Sequence, residues 1–295
     1  MRSSERPAGE GAEVSRTEVI RRFYTEAPFP GYRANDSLAE LRARAARSAF
    51  ARLLDQAIPS DARVLEVGCG TGQMTLFLAS GQRRVVGADL TRASLELGAR
   101  AARRFCVSQA LFLETDLHHP GLCSAAFDVV VSLGVLHHTP DPRAAFGRLA
   151  DLVRPGGIVV VGLYNAFARI PHRLRRLVAR LSGMRVIPFD PVLRDRRTEP
   201  ERRNAWVRDQ YLHPEEHRHT LHEVQRWFRD HQVEYLRTYP AALVGQDDER
   251  EEEPLFQAAQ DNWWPEGVLA QICWMRTLGS EGGLFVVIGR RRSDH

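Results

Sequence analysis

The ten residues VLEVGCGTGQ, positions 64–73, constrain the fold of this chain more than any other segment. A short strand-like run hands over to Gly68, Gly70 and Gly72, and a helical pattern through MTLFLAS follows. Glycines at such a junction let backbone N–H groups approach a ligand closely. The dinucleotide fingerprint G-x-G-x-x-G would require glycine at position 73, where this chain has Gln73. Glu66 stands two residues before the first glycine, poorly placed for a pyrophosphate and well placed for a cationic ligand.

From Arg63 onward, strand-like runs alternate with amphipathic helices. VLEV (64–67), RVVGAD (84–89), ALFLETD (110–116), FDVVVSLGV (127–135) and IVVVGLY (158–164) read as five buried strands, the last entered by a turn at Pro155-Gly156-Gly157. Asp141 and Pro142 mark the start of the helix before that turn. VEYLRTYP and GGLFVVIGRR read as two further strands near the C-terminus. This pattern predicts an α/β fold, a doubly wound, mostly parallel sheet covered on both faces. Asp89 ends the second strand, 21 residues after Gly68, the usual distance for gripping ribose hydroxyls. Asp116 ends the third, where it can accept from an adenine amino group. With Glu66, three acids stand at three successive strand ends, the edge where open α/β sheets bind ligands.

Composition removes several classes. With 43% hydrophobic and 26% charged residues over 295 positions, the chain is neither disordered nor collagen-like nor a disulfide scaffold. No apolar stretch approaches the roughly 20 residues of a membrane-spanning helix, and the first 16 residues contain no secretory apolar region. Cys69, Cys106, Cys123 and Cys273 have no C-x-x-C spacing, which predicts a reduced, cytoplasmic protein without a zinc site. The net charge of +4 is too mild to imply nucleic acid, and all 41 basic residues are Arg, as expected of a GC-rich genome.

Taken together, E-x-G-C-G-T-G, the GADL and ETDL acids, FDVVVSLGVLHH and LVRPGGIVVV resemble the class I, seven-stranded Rossmann-like S-adenosylmethionine-dependent methyltransferases. The resemblance covers about residues 60–165 and implies an antiparallel last strand. It implies S-adenosyl-L-methionine as cofactor and S-adenosyl-L-homocysteine as product. Carried over by position, Glu66, Gly68, Cys69, Gly70 and Gly72 line the methionine part, and Asp89, with Leu90 beside it, the ribose. Asp116 with Leu117 holds the adenine, and Ser132, Leu133 and Gly134 sit beneath the sulfonium. His137 and His138 face the transferred methyl as candidate catalytic residues, with helix-flanking residues as the bland alternative. The expected reaction is methyl transfer to a small or medium organic acceptor. A tRNA or other RNA acceptor and an inactive cofactor-binding subunit stand as alternatives.

The remaining segments carry no family pattern. Residues 1–16 read as a disordered tail, and 17–58 as an N-terminal arm and helix. The arm, with Pro28, Phe29, Pro30 and Gly31, reads as extended, and one helix runs from the Ser37–Glu40 capping box to Pro59. Residues 59–295 form the main domain, with insertions at about 164–219 and 241–283. Candidate substrate or lid residues are Tyr24, Tyr32, Arg33, Tyr164, Tyr211, Trp263 and Trp264. The arm and the 164–219 insertion are expected to be lids that ligand orders. His213, His217, His219 and His222 suggest a metal at first sight, but their segment reads as a lid and no metal is expected. Ile170, Leu174, Leu177, Val178 and Leu181, among seven arginines between 169 and 194, read as a lid helix with a solvated basic face; a membrane-surface or RNA-facing helix is the alternative.

Overall fold

The computed structural model describes residues 15–26, 28, 31–33, 36–194, 200–241, 254–259, 264–278 and 282–293. Seven strands, β1 (Arg63–Val67), β2 (Arg84–Asp89), β3 (Ala110–Glu114), β4 (Phe127–Leu133), β5 (Val153–Tyr164), β6 (Val233–Tyr239) and β7 (Leu284–Arg291), form one sheet in the order β3-β2-β1-β4-β5-β7-β6. The first five run parallel, and β7 is antiparallel to both β5 and β6. This is the predicted doubly wound sheet with its antiparallel last strand.

The strand period of two sorts the apolar residues onto opposite faces. Val64, Val129, Val131 and Val160 pack with Leu54 of α3 (Ala49–Ala57), Leu76 of α4 (Gln73–Ala79) and Ala102 of α5 (Arg92–Arg104). Leu65, Val130, Val159 and Val161 pack with Phe146 of α6 (Pro142–Leu152), Phe228 of α10 (Leu221–Asp230) and Trp274 of α11 (Trp264–Thr277). Strands with both faces covered must be apolar throughout, which is why they read as continuous runs.

Several local expectations need correction. The first part of the N-terminal arm is not extended: α1 (Arg16–Glu26) is helical. The Ser15 hydroxyl accepts from the Glu18 N–H at 3.2 Å, a helix-starting contact. Pro28, two residues past the end of α1, has no N–H to extend the helix. Helix α1 begins at Arg16, the last residue of the stretch expected to be a tail. The single helix expected from Ser37 to Pro59 is two, α2 (Leu38–Ala45) and α3, because Ser48 starts a new helix by accepting from the Ala51 N–H at 3.3 Å. Pro155-Gly156-Gly157 lies inside β5, where the pairing with β4 slips between Phe127–Val153 and Val129–Ile158. The insertion after Tyr164 holds α7 (Ile170–Leu181), α8 (Pro191–Arg194) and α9 (Pro200–Leu212). Among the described residues no helix is long and apolar enough to cross a membrane, and the four cysteines form no disulfide.

Candidate active site

The strand order reverses between β1 and β4, so the loops after these strands diverge and leave a crevice at their C-terminal ends. A cavity of about 620 Å³ occupies it. Its walls include Glu66, Gly68, Cys69, Gly70, Asp89, Leu90, Asp116, Leu117, Leu133 and Gly134. Two other residues singled out from the sequence support the floor without reaching it. Ser132 is buried and its hydroxyl donates to the Val67 carbonyl at 3.0 Å, tying β4 to β1. Gly72 stands at the start of α4 with φ +77°, where a Cβ would fall 2.3 Å from the Phe112 ring.

The carboxylates are held differently. Asp89 accepts from the Gly70 N–H at 2.8 Å and from the N–H and hydroxyl of Thr91 at 2.9 and 2.7 Å, so β2 fixes the shape of the glycine loop. Asp116 accepts from the His118 N–H at 2.9 Å and lies just beyond β3, which ends at Glu114. Glu66 is buried and accepts from the Thr75 hydroxyl. Burial pushes its carboxyl up to about 7, against the opposing Thr75 hydrogen bond. Burial also pushes the Cys69 thiol up, so it is not a nucleophile at neutral pH.

The two histidines after β4 part company. His137 is fully buried, its ring 3.8 Å from that of Tyr164, and neither ring nitrogen has a hydrogen-bond partner among the described residues. His138 lines the cavity. Its Nδ1 lies 2.7 Å from the Glu215 carbonyl, which can only accept, so Nδ1 carries the proton and Nε2 the lone pair. Burial lowers the His138 pKa to about 4, so the ring is neutral at pH 7.

The cover comes from two distant segments of the chain. Thr17, Ile20 and Tyr24 of α1 and Trp206, Asp209 and Gln210 of α9 line the same cavity. The Tyr24 hydroxyl donates to Asp209 at 3.2 Å, and Arg208 donates to the Phe23 carbonyl and to Glu26, each at 2.8 Å. Tyr164 lines the cavity from β5 and its hydroxyl accepts from Gln210 at 2.8 Å. Sequence reasoning missed Trp206, Asp209 and Gln210; their segment has neither a strand period nor a recognisable motif.

Three candidates lie elsewhere. The Tyr32 hydroxyl donates to the Thr71 carbonyl at 2.8 Å and braces the glycine loop from outside the cavity. Arg33 is exposed, and its backbone N–H donates to the Asp36 carboxylate at 2.9 Å. Tyr211 is buried with its hydroxyl on Asp190 at 2.6 Å, away from the cavity wall. Trp263 and the Trp264 side chain lie outside the described residues. The histidines of the insertion pack against the rest of the fold, the His213 ring 3.7 Å from that of His138. His213 Nδ1 is 2.6 Å from the Glu215 carbonyl, and His219 Nδ1 pairs with Glu223 at 2.9 Å.

A methyltransferase domain family matches residues 38–238. An uncharacterised protein of Synechococcus sp. is 26% identical over 216 residues, 63% of this chain and 52% of that protein. The trans-aconitate 2-methyltransferase of Azoarcus sp. is 33% identical over 157 residues, 50% of this chain and 58% of the other. The chain thus spans about half the length of the curated relatives it matches. Among solved structures, the magnesium protoporphyrin IX methyltransferase of Synechocystis, crystallised with S-adenosylhomocysteine, superposes with a TM-score of 0.53 at 13% identity, covering 95% of this chain and 100% of that one. At that identity the likeness is one of fold. Sheet order, strand-end acids and a family domain spanning most of the chain converge: the protein belongs to the class I S-adenosylmethionine-dependent methyltransferases.

Proposed function

We propose that this chain binds S-adenosyl-L-methionine in the crevice cavity and transfers its methyl group to a small or medium organic acceptor. The observation that carries this reading is that Glu66, Asp89 and Asp116, from three adjacent strand ends, line one cavity. The cavity fits the cofactor chemically. Glu66 offers a carboxylate to the cationic amino group, and Asp89 offers acceptors for a ribose diol. Gly134 lines the wall with φ +77° and open space where a Cβ would project. When bound, the cofactor supplies a methyl group already activated on a sulfonium, so positioning and water exclusion are the main tasks left to the protein. Tyr24, Trp206 and Asp209 cover the acceptor side; α1 and the 164–219 insertion act as lids. His138, neutral with its Nε2 lone pair free of the backbone contact, orients an acceptor hydroxyl or amine. The reduced cysteines fit a cytoplasmic location.

Incubating the chain with methyl-labelled cofactor and a cell extract, followed by mass spectrometry, tests the acceptor class. The expected product is a small molecule heavier by one methylene. Label found solely in RNA or protein overturns the small-acceptor reading.

Two variants test the cofactor assignment. Asp89→Ala should weaken S-adenosylhomocysteine binding by about 1–3 kcal/mol, because a diol held by a charged acceptor loses its partner. An unchanged dissociation constant in calorimetry removes Asp89 from the site. For Glu66 the prediction is a pH dependence. Below pH 7 the free carboxyl is largely protonated, so binding an ammonium group must expel that proton. Affinity should therefore rise with pH through about 6 to 7, approaching tenfold per unit at the acidic end, and level off near 8. Glu66→Gln should bind more weakly and flatten the profile. A wild-type affinity constant from pH 6 to 8 contradicts the assignment.

A further inference from the structure

Helix α7 (Ile170–Leu181) is packed inside out. Projected at 100° per residue, Ile170, Leu174, Leu177, Val178 and Leu181 share one side, and all five are exposed, Leu174 by 62% and Leu181 by 80%. The opposite side carries the buried residues, His172 and Ala179. The inward contacts are polar. His172 Nε2 lies 2.9 Å from the Gln210 carbonyl, Arg176 donates to the His213 carbonyl at 2.8 Å, and Arg175 lies 3.8 Å from Asp190. The expectation of a lid helix showing a solvated basic face to water is therefore corrected: its apolar stripe faces outward.

What covers that stripe is indicated by its borders. Arg173 and Arg180 are exposed along one edge, and Arg185 is exposed just past the helix end. Among the described residues no carboxylate is paired with these three. Beyond the left-handed turn at Gly183, Val186 and Phe189 continue the exposed apolar run, Phe189 by 79%, with the exposed Arg194 guanidinium 5.9 Å from the Phe189 ring. Between Asn165 and Arg194 the sole acidic residue is Asp190, which is buried. A second copy of the chain packed symmetrically here would set arginines against arginines with no carboxylate between them. Nucleic acid would answer the arginines and leave five aliphatic side chains in water. A lipid surface answers both, with the stripe sunk to the acyl boundary and the arginines reaching anionic headgroups.

We propose that the outward stripe of α7, with Val186 and Phe189, docks the protein on an anionic phospholipid membrane, lying in the interface without crossing it. The docking does not depend on the methyltransferase reading, since none of these side chains lines the cavity.

Vesicle flotation with the full chain tests it. Vesicles of mixed phosphatidylglycerol and phosphatidylcholine should carry the wild-type protein upward, and pure phosphatidylcholine vesicles should carry far less. The triple variant Leu174→Gln, Leu177→Gln, Leu181→Gln should partition at least about tenfold more weakly, since lost apolar insertion is not replaced by charge. Because these side chains are exposed, its circular dichroism and thermal midpoint should match the wild type. The variant Arg173→Gln, Arg180→Gln, Arg185→Gln should lose the preference for anionic lipid. Three results each overturn the proposal: no flotation of wild type with anionic vesicles, undiminished flotation of the leucine variant, or a wild-type dimer that the leucine variant converts to monomer. The last would assign the stripe to a second copy.

Discussion

Replacing Gly68 by valine should destabilise the fold by about 2–6 kcal/mol, summing left-handed backbone strain and overpacking at about 1–3 each, and should remove cofactor binding with it. Gly68 has φ +72°, a region that β-branched residues all but avoid. A Cβ built there would lie 2.1 and 2.7 Å from the two methyls of Val135, whose segment forms the facing wall of the cavity. The loop has no slack to move aside. The Gly68 and Cys69 N–H groups donate to the Ala88 carbonyl at 2.7 and 3.1 Å, and Gly70 is held by Asp89. Urea denaturation and calorimetry with S-adenosylhomocysteine read the two effects separately. Adding Val135→Ala should return only part of the side-chain clash, because the Cβ at position 135 stays 2.9 Å from the built atom, and leave the backbone part. A Gly68→Val protein of wild-type stability and affinity contradicts both the loop conformation and its role.

Arg169→Met should destabilise the chain by about 3–5 kcal/mol, the range for a buried ion pair that loses one partner. The Arg169 side chain is wholly buried. It donates to Glu216 at 2.9 and 3.3 Å and to the Gln210 side chain and the Gly282 carbonyl, each at 2.6 Å, while its guanidinium lies 3.8 Å over the Tyr164 ring. One side chain thus joins the end of β5, α9 and the approach to β7. Its loss leaves Glu216 with Arg176 alone among the described ion pairs. Burial by itself raises the Glu216 carboxyl, but the Arg169 hydrogen bond and the charges of Arg169 and Arg176 outweigh it and hold the group below its ordinary value. For a carboxylate lowered in the folded state, the stabilisation is complete above the unfolded value near 4.5 and is lost as pH falls through the folded one. Arg169→Met should diminish this acid dependence, and adding Glu216→Gln should recover part of the stability, because no buried charge is then left under-partnered. A loss below about 1 kcal/mol would mean the network is not a structural anchor.

The strand-end half of the cavity was legible in the sequence because its determinants are local. Glu66, Asp89 and Asp116 are placed by where a strand ends, and the glycine loop by the junction it must turn. The half under α1 and α9 was not legible. Asp209 meets Tyr24 across 185 positions of sequence, and no period or spacing connects an N-terminal helix to α9. The α1 segment was misread because Pro28 and Pro30 follow it closely, whereas a proline limits how far a helix can extend and says nothing of the turns before it. For α7 the hydrophobic period correctly gives a helix with an apolar face. The direction of that face is set by His172, Arg175 and Arg176 finding polar partners inside, and those partners come from Asp190 and from residues 210–216. Arg169 looked like one more member of a basic run. Its burial depends on Glu216, 47 positions away.

Hydrogen exchange with and without S-adenosylhomocysteine tests the central claim, that the crevice cavity is the cofactor site of a methyltransferase, most directly. Bound ligand should slow exchange at Glu66–Gln73, at Asp89–Thr91 and around Gly134, and the lid reading adds protection in α1 and α9. Far smaller effects should be seen in β6, which exchanges as part of the sheet and lines none of the cavity. Absence of binding, or protection confined to residues away from these strand ends, would contradict the account.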